Sequence, residues 1–459
     1  MSKSGAYFDN ASTTPVRPEV LRAMMPYFRE RYGNPSNLYT YGREAKQAIF
    51  ESTAKIAKAL NCMPGEIVFT GSATEADNLA LAGVARANRD KGNRIIISGV
   101  EHKGIVAVGE ALKKDGFEVI SIPVGKDGLV DLDILKKELN DKTILVSVTM
   151  ADSETGTLQP IREISEIIGD LYGPTATSPS SARRSVSHSA SSRSTLVAAS
   201  TVEVAVGHSR EYPLFHTDAS QAAAYANIDV RKLGVDLMTI SAHKLGGPKG
   251  VGALFVRKGV NINPIIHGGG QQGRLRSGTE NVPAIVGFGV AMELNRKENK
   301  SESARIKKLR DRLEKGIFKT IPKVVLNGHS SKRLPNFCNI SILDIEGEAL
   351  LLHLDEHRIM INTGSACNSE SLEPSYVLSA LGNPYEFIHG SIRFTLGKTT
   401  AAKDVEYVLA HLPAIVEELR RISPLDLSLD QKSRMSDPKA FIGNQTPHFL
   451  RKKKSGTSH

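Results

Sequence analysis

The sequence predicts an α/β protein that has a large domain with a mostly parallel sheet and a smaller α+β domain. From Glu66 to Val256, short runs rich in β-branched residues alternate with helical stretches, and this alternation requires crossover connections between parallel strands. The chain has 459 residues, of which 40% are hydrophobic, so it can form two packed cores. The predicted strands are "EIVFT", "RIIIS", "EVISIPV", "TILVSV", "LFHTD", "LMTIS" and "GALFV".

The helical pattern locates the other main elements and the domain boundaries. The segment "ATEADNLALAGVARANRD" is the clearest helix between the predicted strands. After Asn261 the chain changes to glycine-rich loops and then to the long charged helices "SARIKKLRDRLEKGIF" and "AAKDVEYVLAHLPAIVEELRRI", which indicate a second domain. We therefore expect residues 16–262 to form the large domain and residues 1–15 with 263–423 to form the small domain.

Two segments have a composition that predicts disorder. Residues 173–210 are rich in Ser, Ala and Thr and have no clear period, so we interpret them as a disordered insertion, with a regulatory or phosphorylated loop as the alternative. Residues 424–459 are expected to form a disordered basic tail. The net charge is +10, and part of the excess lies in these two segments, so direct nucleic-acid binding is not expected.

Composition also limits the compartment and the metal chemistry. No apolar run reaches the roughly 20 residues of a membrane helix and the first residues do not resemble a leader, so a cytoplasmic protein without membrane contact is expected. The three cysteines, Cys62, Cys338 and Cys367, contain no CxxC pair, which argues against a disulfide framework and a thiolate zinc site. We expect no metal site, and one reactive thiol remains possible.

Polar residues of different types follow the predicted strands, where ligands collect in parallel sheets. Ala73 and Thr74 open a helix after "EIVFT", and the free N–H groups of a helix start suit a phosphate. His102, Asp218 and Lys244 follow three other strands. A phosphate cradle, an imidazole, a carboxylate and a lysine are what pyridoxal 5'-phosphate requires: the lysine binds the aldehyde and the carboxylate keeps the ring nitrogen protonated. The alternative is that Lys244 is a solvated turn residue.

Longer motifs resemble a known family. They occur in the order seen in cysteine desulfurases of the NifS/IscS-like type, and the resemblance covers about residues 7–425 apart from the insertion. It implies an aspartate-aminotransferase-like fold, called PLP fold type I, and pyridoxal 5'-phosphate as the cofactor. The motifs are "YFDNASTTPV", "GNPSN", "GSATEADNLA", "VEHK", "FHTDASQAAA", "SAHKLGGPKGVGALFVRKG", "HGGGQQGRLRSGTENVPAIVGFG", "TGSACNSESLEPSYVLSALG" and "SIRFTLGK".

The resemblance implies a role for each matching residue. Lys244 resembles the Schiff-base lysine, His102 the residue that stacks on the ring and moves protons, and Asp218 the partner of the ring nitrogen. Arg393 resembles the clamp for the substrate carboxylate, because a guanidinium fork gives two parallel charged hydrogen bonds. Thr279 matches a phosphate ligand contributed by a second subunit, which implies a homodimer. Further cofactor ligands would be Ala73, Thr74, Ser153, Gln221, Ser241 and His243, and Ser12 would contact the substrate.

Cys367 is the thiol to which the resemblance gives a catalytic role. It lies in the Gly- and Ser-containing stretch "NTGSACNSES", which indicates a loop before a helix. The resemblance implies that this thiol attacks the sulfur of L-cysteine, that L-alanine remains, and that the thiol then carries the sulfur as a persulfide. The acceptor would be an iron–sulfur scaffold or another sulfur-acceptor protein. A thiolate that reaches both the cofactor and an acceptor benefits from a mobile loop. Cys62 and Cys338 lack this context and are interpreted as structural.

One departure from the family pattern keeps other functions open. Asp152 and Ser153 stand where the family usually has two asparagines, and the second asparagine normally contacts the cofactor or the substrate. The predicted function is a cysteine desulfurase that supplies iron–sulfur cluster assembly or tRNA thiolation. The alternatives are a selenocysteine lyase, a weakly active or non-catalytic sulfur-transfer scaffold, and an aminotransferase on the same fold.

Overall fold

The computed structural model describes residues 5–173, 212–363 and 374–423. Cys367, the tail 424–459 and all of the predicted insertion except Gly173 lie outside these residues. The chain divides into two units. The large unit contains residues 10–124 and 129–304, and the small unit contains residues 1–9, 125–128 and 305–459.

Twelve strands form three sheets within the described ranges. A seven-stranded sheet, with the order β2-β8-β7-β6-β5-β3-β4, belongs to the large unit, and a three-stranded sheet β12-β10-β9 and the pair β1-β11 belong to the small unit. The strands are β1 (Ala6–Tyr7), β2 (Ile67–Thr70), β3 (Arg94–Ser98), β4 (Glu118–Ile122), β5 (Thr143–Ser147), β6 (Leu214–Asp218), β7 (Leu237–Ser241), β8 (Gly252–Val256), β9 (Val324–Leu326), β10 (Phe337–Ile342), β11 (Ile359–Met360) and β12 (Ser391–Thr395).

The helices lie between these strands, as the alternating pattern predicts. They are α1 (Pro18–Met24), α2 (Pro26–Arg29), α3 (Thr40–Leu60), α4 (Ala73–Asn78), α5 (Val84–Ala87), α6 (Lys103–Lys114), α7 (Leu132–Glu138), α8 (Ile161–Tyr172), α9 (Val230–Leu233), α10 (Val282–Thr320), α11 (Gly347–Glu356), α12 (Tyr376–Ala380), α13 (Tyr385–His389) and α14 (Ala402–Ile422). Within the described ranges, no helix is both long enough and apolar enough to cross a membrane.

The large sheet is mostly parallel, which confirms the predicted fold class. β3, β4, β5, β6 and β7 pair in parallel, and only β8 runs antiparallel to its neighbours β7 and β2. Every residue of β2, β5, β6, β7 and β8 is buried, because helices cover both faces of a parallel sheet. At the β2 edge, the Phe69 N–H donates to Gln272 Oε1 at 2.9 Å, so a side chain satisfies this edge group.

The predicted helix that begins at Ala73 contains an irregular turn. α4 and α5 are joined by a π turn, Leu79–Gly83, in which all five residues are buried. A Cβ atom added at Gly83 would lie 2.6 Å from the carbonyl oxygen of Asn263, so only glycine fits where these two backbone segments lie so close together. The helical segment is therefore packed on all sides at its centre, which matches its apolar sequence.

The two units divide at a different place from the predicted domain boundaries. The sequence places the boundaries near residues 15 and 262, whereas the units divide after Asp9 and before Arg305, within α10. The reason lies in the first turns of α10, because Val282 and Val286 pack against Ala45 and Ala48 of α3. The change from the strand and helix pattern to glycine-rich loops after Asn261 therefore lies inside the large unit.

The small unit has an antiparallel sheet and long helices. β10 pairs antiparallel with β12 and β9, and β1 pairs in parallel with β11. Along α14, the residues Val405, Val408, Leu412 and Leu419 are buried, with the spacing of an amphipathic helix. This arrangement agrees with the predicted α+β class of the smaller part.

Candidate active site

Lys244 lies just beyond the carboxyl end of β7. The strand ends at Ser241, and a 3₁₀ turn, Ala242–Lys244, follows it. Thr14 fixes this turn, because its hydroxyl donates to the His243 carbonyl at 2.6 Å and its Oγ1 accepts from the Gly246 N–H at 2.9 Å. The lysine is partly buried, as expected for a residue at the edge of a ligand site.

Asp218 is the last residue of β6, which is the parallel neighbour of β7. It is buried, and its Oδ1 accepts a hydrogen bond from the Ser220 N–H at 2.8 Å. Three residues later, Gln221 Nε2 donates to the Ala11 carbonyl at 3.1 Å, which uses one of its two amide hydrogens. The carboxylate and the lysine therefore follow adjacent parallel strands at the same edge of the sheet.

His102 is the N-cap of α6 and belongs to the same group of residues. Its Nδ1 accepts from the Gly104 N–H at 3.1 Å, so in the neutral ring Nε2 carries the hydrogen. The surrounding protein reduces the contact of the His102 ring with water, and this desolvation lowers its pKa. The Asp218 carboxylate opposes this shift and the Lys244 ammonium adds to it. The charges of Asp218 and Lys244 therefore both influence His102.

The start of α4 is the place where the sequence analysis predicts an anion cradle. Ser72 is the N-cap, and its Oγ accepts from the Glu75 N–H at 3.1 Å, while Ala73 and Thr74 occupy the first turn. A Cβ added at Gly252 would lie 2.7 Å from the backbone of Ser72, so this glycine lets β8 approach the helix start closely. The first N–H groups of the helix are suited to a phosphate oxygen.

His243 and Ser241 complete the group beside Lys244. The pKa of His243 is lowered to about 4 by burial, with a further contribution from the Lys244 and Lys249 charges, so the ring is neutral at pH 7. Its Nδ1 lies 3.1 Å from Thr13 Oγ1. Ser241 is buried at the end of β7. These two residues can therefore offer neutral hydrogen bonds, and no positive charge, to an anion.

Three other predicted residues lie in turns or loops. Ser12 is exposed between Ala11 and Thr13, the two residues that contact Gln221 and His243, and Ser153 is partly exposed in the turn after β5. Thr279 lies in the loop before α10 and lines a cavity of about 180 Å³. Among the described residues, the lining of that cavity includes none of the other predicted cofactor ligands. The lining does include Thr70 and Gly71, which directly precede the N-cap Ser72 of α4.

The unusual Asp152 has a structural explanation. It is 1% exposed, and its carboxylate accepts hydrogen bonds from the N–H groups of Glu154, Thr155 and Thr157 and from the Thr155 hydroxyl, at 2.5 to 3.0 Å. Burial raises the pKa of Asp152, while these hydrogen bonds oppose the shift. The side chain therefore stabilises the turn that carries Ser153.

Arg393 belongs to the small unit and lies in β12. It is buried, and its Nη2 donates to Asp9 Oδ1 at 2.8 Å, while Asn362 Nδ2 donates to Asp9 Oδ2 at 3.2 Å. The backbones of Arg393 and Asn362 are also paired. Asp9 therefore fixes the direction of one edge of the guanidinium group.

Two of the three cysteines have poor reactivity. Burial raises the pKa of the Cys62 thiol to about 12 and that of the fully buried Cys338 thiol to about 12. Almost none of either thiol is ionised near neutral pH, and the thiolate is the nucleophilic form. This agrees with their interpretation as structural residues and leaves Cys367 as the candidate nucleophile.

The sequence analysis does not single out three buried ionisable residues near Asp218. Asp77 of α4 and His216 of β6 approach each other, with 3.8 Å between Asp77 Oδ1 and His216 Nε2, and Glu101 follows β3. Glu101 Oε1 accepts from Ser98 Oγ and from the Thr149 N–H, both at 2.8 Å, and burial raises the pKa of Glu101 to about 8. His216 is two residues before Asp218 on the same strand face, which is the signal that could have identified it.

The fold and this site define a class of protein with a known family. The family model described as aminotransferase class-V matches residues 6–174 and 192–408, so the chain belongs to the class-V aminotransferase family. These enzymes use pyridoxal phosphate, and the site fits that cofactor, because a lysine, a buried carboxylate and a helix start approached by Gly252 lie at one sheet edge.

Individual relatives indicate a narrower group within this family. The chain is 46% identical over 421 residues to a cysteine desulfurase IscS of Methanosarcina thermophila, covering 91% of this chain and 94% of the relative. It is 41% identical over 424 residues to a mitosomal cysteine desulfurase of Encephalitozoon cuniculi, covering 91% and 88%. A solved NifS-like protein superposes with a TM-score of 0.78 at 33% identity, covering 91% of this chain and all of that one. The NifS/IscS-like resemblance is therefore confirmed.

Proposed function

We propose that this protein is a pyridoxal phosphate-dependent cysteine desulfurase that converts L-cysteine to L-alanine and passes the sulfur on as a persulfide of Cys367. The observation that carries the proposal is the group formed by Lys244, Asp218 and His102 at one edge of the large sheet. Relatives named cysteine desulfurase that match 91% of the chain support it. The persulfide would supply an iron–sulfur scaffold or another acceptor, and a cytoplasmic location stays a prediction.

Each residue of the group would act on the substrate or hold the cofactor. When bound, pyridoxal phosphate supplies an electron sink for bond breaking at the substrate α-carbon. The Lys244 amine would hold the cofactor and move protons at that carbon. Asp218 would face the ring nitrogen with a carboxylate. His102, neutral at pH 7 with its hydrogen on Nε2, would stack on the ring and transfer protons near the sulfur.

The phosphate would be bound mainly by neutral donors. Ala73 and Thr74 provide the helix start, and Ser241 and the neutral His243 provide side-chain hydrogen bonds. Gln221 retains one amide hydrogen for the phenolate oxygen, and Ser153 would contact the cofactor or the substrate from the turn that Asp152 stabilises. Thr279 would contribute to the site of a second subunit, and Ser12 would contact the substrate.

The test is sulfide release from L-cysteine by the cofactor-loaded protein with a reductant present. Sulfide formed together with an equal amount of L-alanine is the expected result. Parallel reactions with L-selenocysteine and with L-cysteine plus a 2-oxo acid distinguish the selenocysteine lyase and the aminotransferase alternatives. A product of transamination without sulfide would contradict the proposal, and so would turnover of selenocysteine alone.

Arg393 is expected to set the affinity for the substrate carboxylate. Replacing it by lysine, Arg393→Lys, removes the two parallel donors of the fork while keeping a positive charge. We expect the KM for L-cysteine to rise about 10- to 100-fold and kcat to change much less, because a charged hydrogen bond contributes about 1.5–3 kcal/mol. Steady-state sulfide release measures both constants.

The matched control for this prediction is Arg420→Lys. Arg420 is a partly buried arginine of the same unit, and it donates to the carbonyls of Leu343 and Pro322. Its replacement should leave the KM unchanged. An equal rise in KM for both variants would show that the effect of Arg393→Lys comes from a general disturbance of the small unit.

We also propose that the protein works as a homodimer that uses the surface between α1 and α3. Eight large apolar or aromatic side chains there are at least 48% exposed, and exposed patches of this kind mark interfaces. A second copy of the chain is the expected partner, because Thr279 matches a phosphate ligand that the NifS/IscS-like resemblance assigns to a second subunit. The exposed residues are Leu21, Met25, Phe28, Tyr32, Leu38, Tyr39, Tyr41 and Phe50.

Charged substitutions in this surface should dissociate the dimer. The double change Phe28→Asp and Leu38→Asp places two carboxylates in an apolar contact, and we expect the dimer dissociation constant to rise on the order of 100-fold or more. Light scattering after size exclusion measures the mass. Leu352→Asp is the control, because Leu352 is 65% exposed on α11 of the small unit. A monomeric mass for the unchanged protein would refute the proposal.

A further inference from the structure

Asp77 is a buried acid beneath the cofactor site for which the proposed mechanism has no role. It lies on α4, the helix whose first turn forms the phosphate cradle, and it is 1% exposed. Within the described ranges, no donor lies at a normal hydrogen-bond distance from either of its side-chain oxygens, although the Thr239 hydroxyl is near enough to favour the ionised form. An ionised carboxylate in such a place would lack both water and close donors, which is strongly unfavourable.

The surroundings of Asp77 contain few groups that could compensate a charge. His216 is the nearest base, with Nε2 at 3.8 Å from Asp77 Oδ1, which is too long for a hydrogen bond. That ring is already engaged, because Nδ1 lies 2.9 Å from Ser147 Oγ and Nε2 lies 3.1 Å from Thr239 Oγ1. Burial lowers the pKa of His216 to about 4, so the ring is neutral at pH 7 and cannot serve as a counter-ion.

The elements packed against α4 include β7, which Lys244 follows, and α6, which His102 caps, while β2 and β8 contain no titratable residue. Two further carboxyl groups act on Asp77: Asp218 at the end of β6 and Glu101 after β3. Burial raises the pKa of Asp77 well above its ordinary value, the Asp218 and Glu101 carboxylates raise it further, and the Thr239 hydroxyl and the Lys244 ammonium oppose the shift. Among these charged groups, Asp218 has the largest effect on Asp77.

A fully buried carboxyl group without a close hydrogen-bond donor is more stable in its neutral form, and a like charge nearby favours that form further. Asp218 accepts a hydrogen bond from the Ser220 N–H, whereas Asp77 has no such donor among the described residues. We propose that Asp77 carries a proton in the working protein, so that it adds no negative charge to the one that Asp218 would present to the cofactor. Asp77 is then a positioning residue: it acts through Asp218 by leaving a single negative charge for the ring nitrogen. The consequence for the cofactor rests on the proposed function, whereas the protonation of Asp77 does not.

The test is the infrared carbonyl band of a protonated carboxylic acid in the full-length, cofactor-loaded protein. The change Asp77→Asn replaces the acid by a neutral group of the same shape, so the difference spectrum at pH 7 should show the loss of one acid band that shifts in D₂O. Asp131→Asn is the control, because the Asp131 carboxylate caps α7 by accepting from the N–H groups of Asp133 and Ile134. That variant should lose no acid band. Glu101→Gln identifies any second band, since the pKa of Glu101 is about 8.

The coupling to Asp218 is tested by the pH dependence of the cofactor absorption band. In the unchanged protein, ionisation of Asp77 at alkaline pH adds a second negative charge and should shift the band, and this alkaline limb should be missing in Asp77→Asn. A difference spectrum without an acid band would overturn the protonation of Asp77. Identical alkaline profiles in the two proteins would overturn its action through Asp218. Neither readout uses L-cysteine, so a protein that fails to release sulfide but passes both tests contradicts only the proposed function.

Discussion

The change Lys244→Ala should abolish sulfide release from L-cysteine, with a fall of at least about 10³-fold in kcat. The lysine is the only residue of the predicted set that can both hold the cofactor aldehyde and move a proton at the substrate α-carbon, and a positioned acid–base group alone accounts for about 10²–10⁴-fold in rate. Its position just beyond β7, fixed by the hydrogen bonds of Thr14, places the lysine at the sheet edge. Sulfide formation and the visible band of the bound cofactor measure the two functions separately.

The matched control is Lys249→Ala, five residues further along the same glycine-rich turn. Lys249 is exposed and differs from Lys244 in lying beyond the 3₁₀ turn. We expect the control variant to keep the cofactor band and most of the activity. Sulfide release by Lys244→Ala at more than a tenth of the normal rate would refute the assignment of the catalytic lysine.

The change Cys367→Ala should reduce sulfide release by at least about 100-fold while the cofactor band is retained. The physical reason is that the other two thiols cannot replace it, because burial raises the pKa of Cys62 and of Cys338 to about 12 and leaves almost no thiolate. The persulfide is measured by alkylation and mass spectrometry after incubation with L-cysteine. It should be found on the Cys367 peptide of the unchanged protein and be absent from the variant.

The control for this experiment is Cys62→Ala, which removes a thiol that is partly buried in the large unit. This variant should form the persulfide at the normal level. If Cys367→Ala forms protein persulfide as fast as the unchanged protein, Cys367 is not the sulfur carrier, and the selenocysteine lyase and scaffold alternatives gain support.

The sequence predicts the strands of the large sheet well, because buried parallel strands are continuous apolar runs that end at polar residues. "LFHTD" and "LMTIS" coincide with β6 and β7, and the rule that ligands collect after such strands selects Asp218 and Lys244. The helix start at Ala73, where we expect the phosphate, is equally local, because it depends on a strand followed directly by a helix. Features of this kind depend on short segments that are visible in the sequence.

The features that the sequence does not predict depend on contacts between distant segments. Arg393 and its partner Asp9 are 384 residues apart, so no local pattern relates them. His216 looks like a core residue of an apolar strand until Asp77 is seen 3.8 Å from it. The division between the units before Arg305 lies inside a continuous helix, where no sequence pattern marks a boundary. The turn that Asp152 stabilises depends on four specific hydrogen bonds.

The π turn Leu79–Gly83 also bears on how this segment tolerates insertions and deletions. A π turn contains one residue more than a regular turn, and one residue rotates a helix by about 100°. Deleting a single residue there would restore a regular helix, but it would turn Thr74 and Asp77 away from their present directions relative to α5. Sequence length within this segment is therefore under stronger constraint than side-chain identity, and alignments of relatives should show gaps on either side of residues 73–87 more often than inside them.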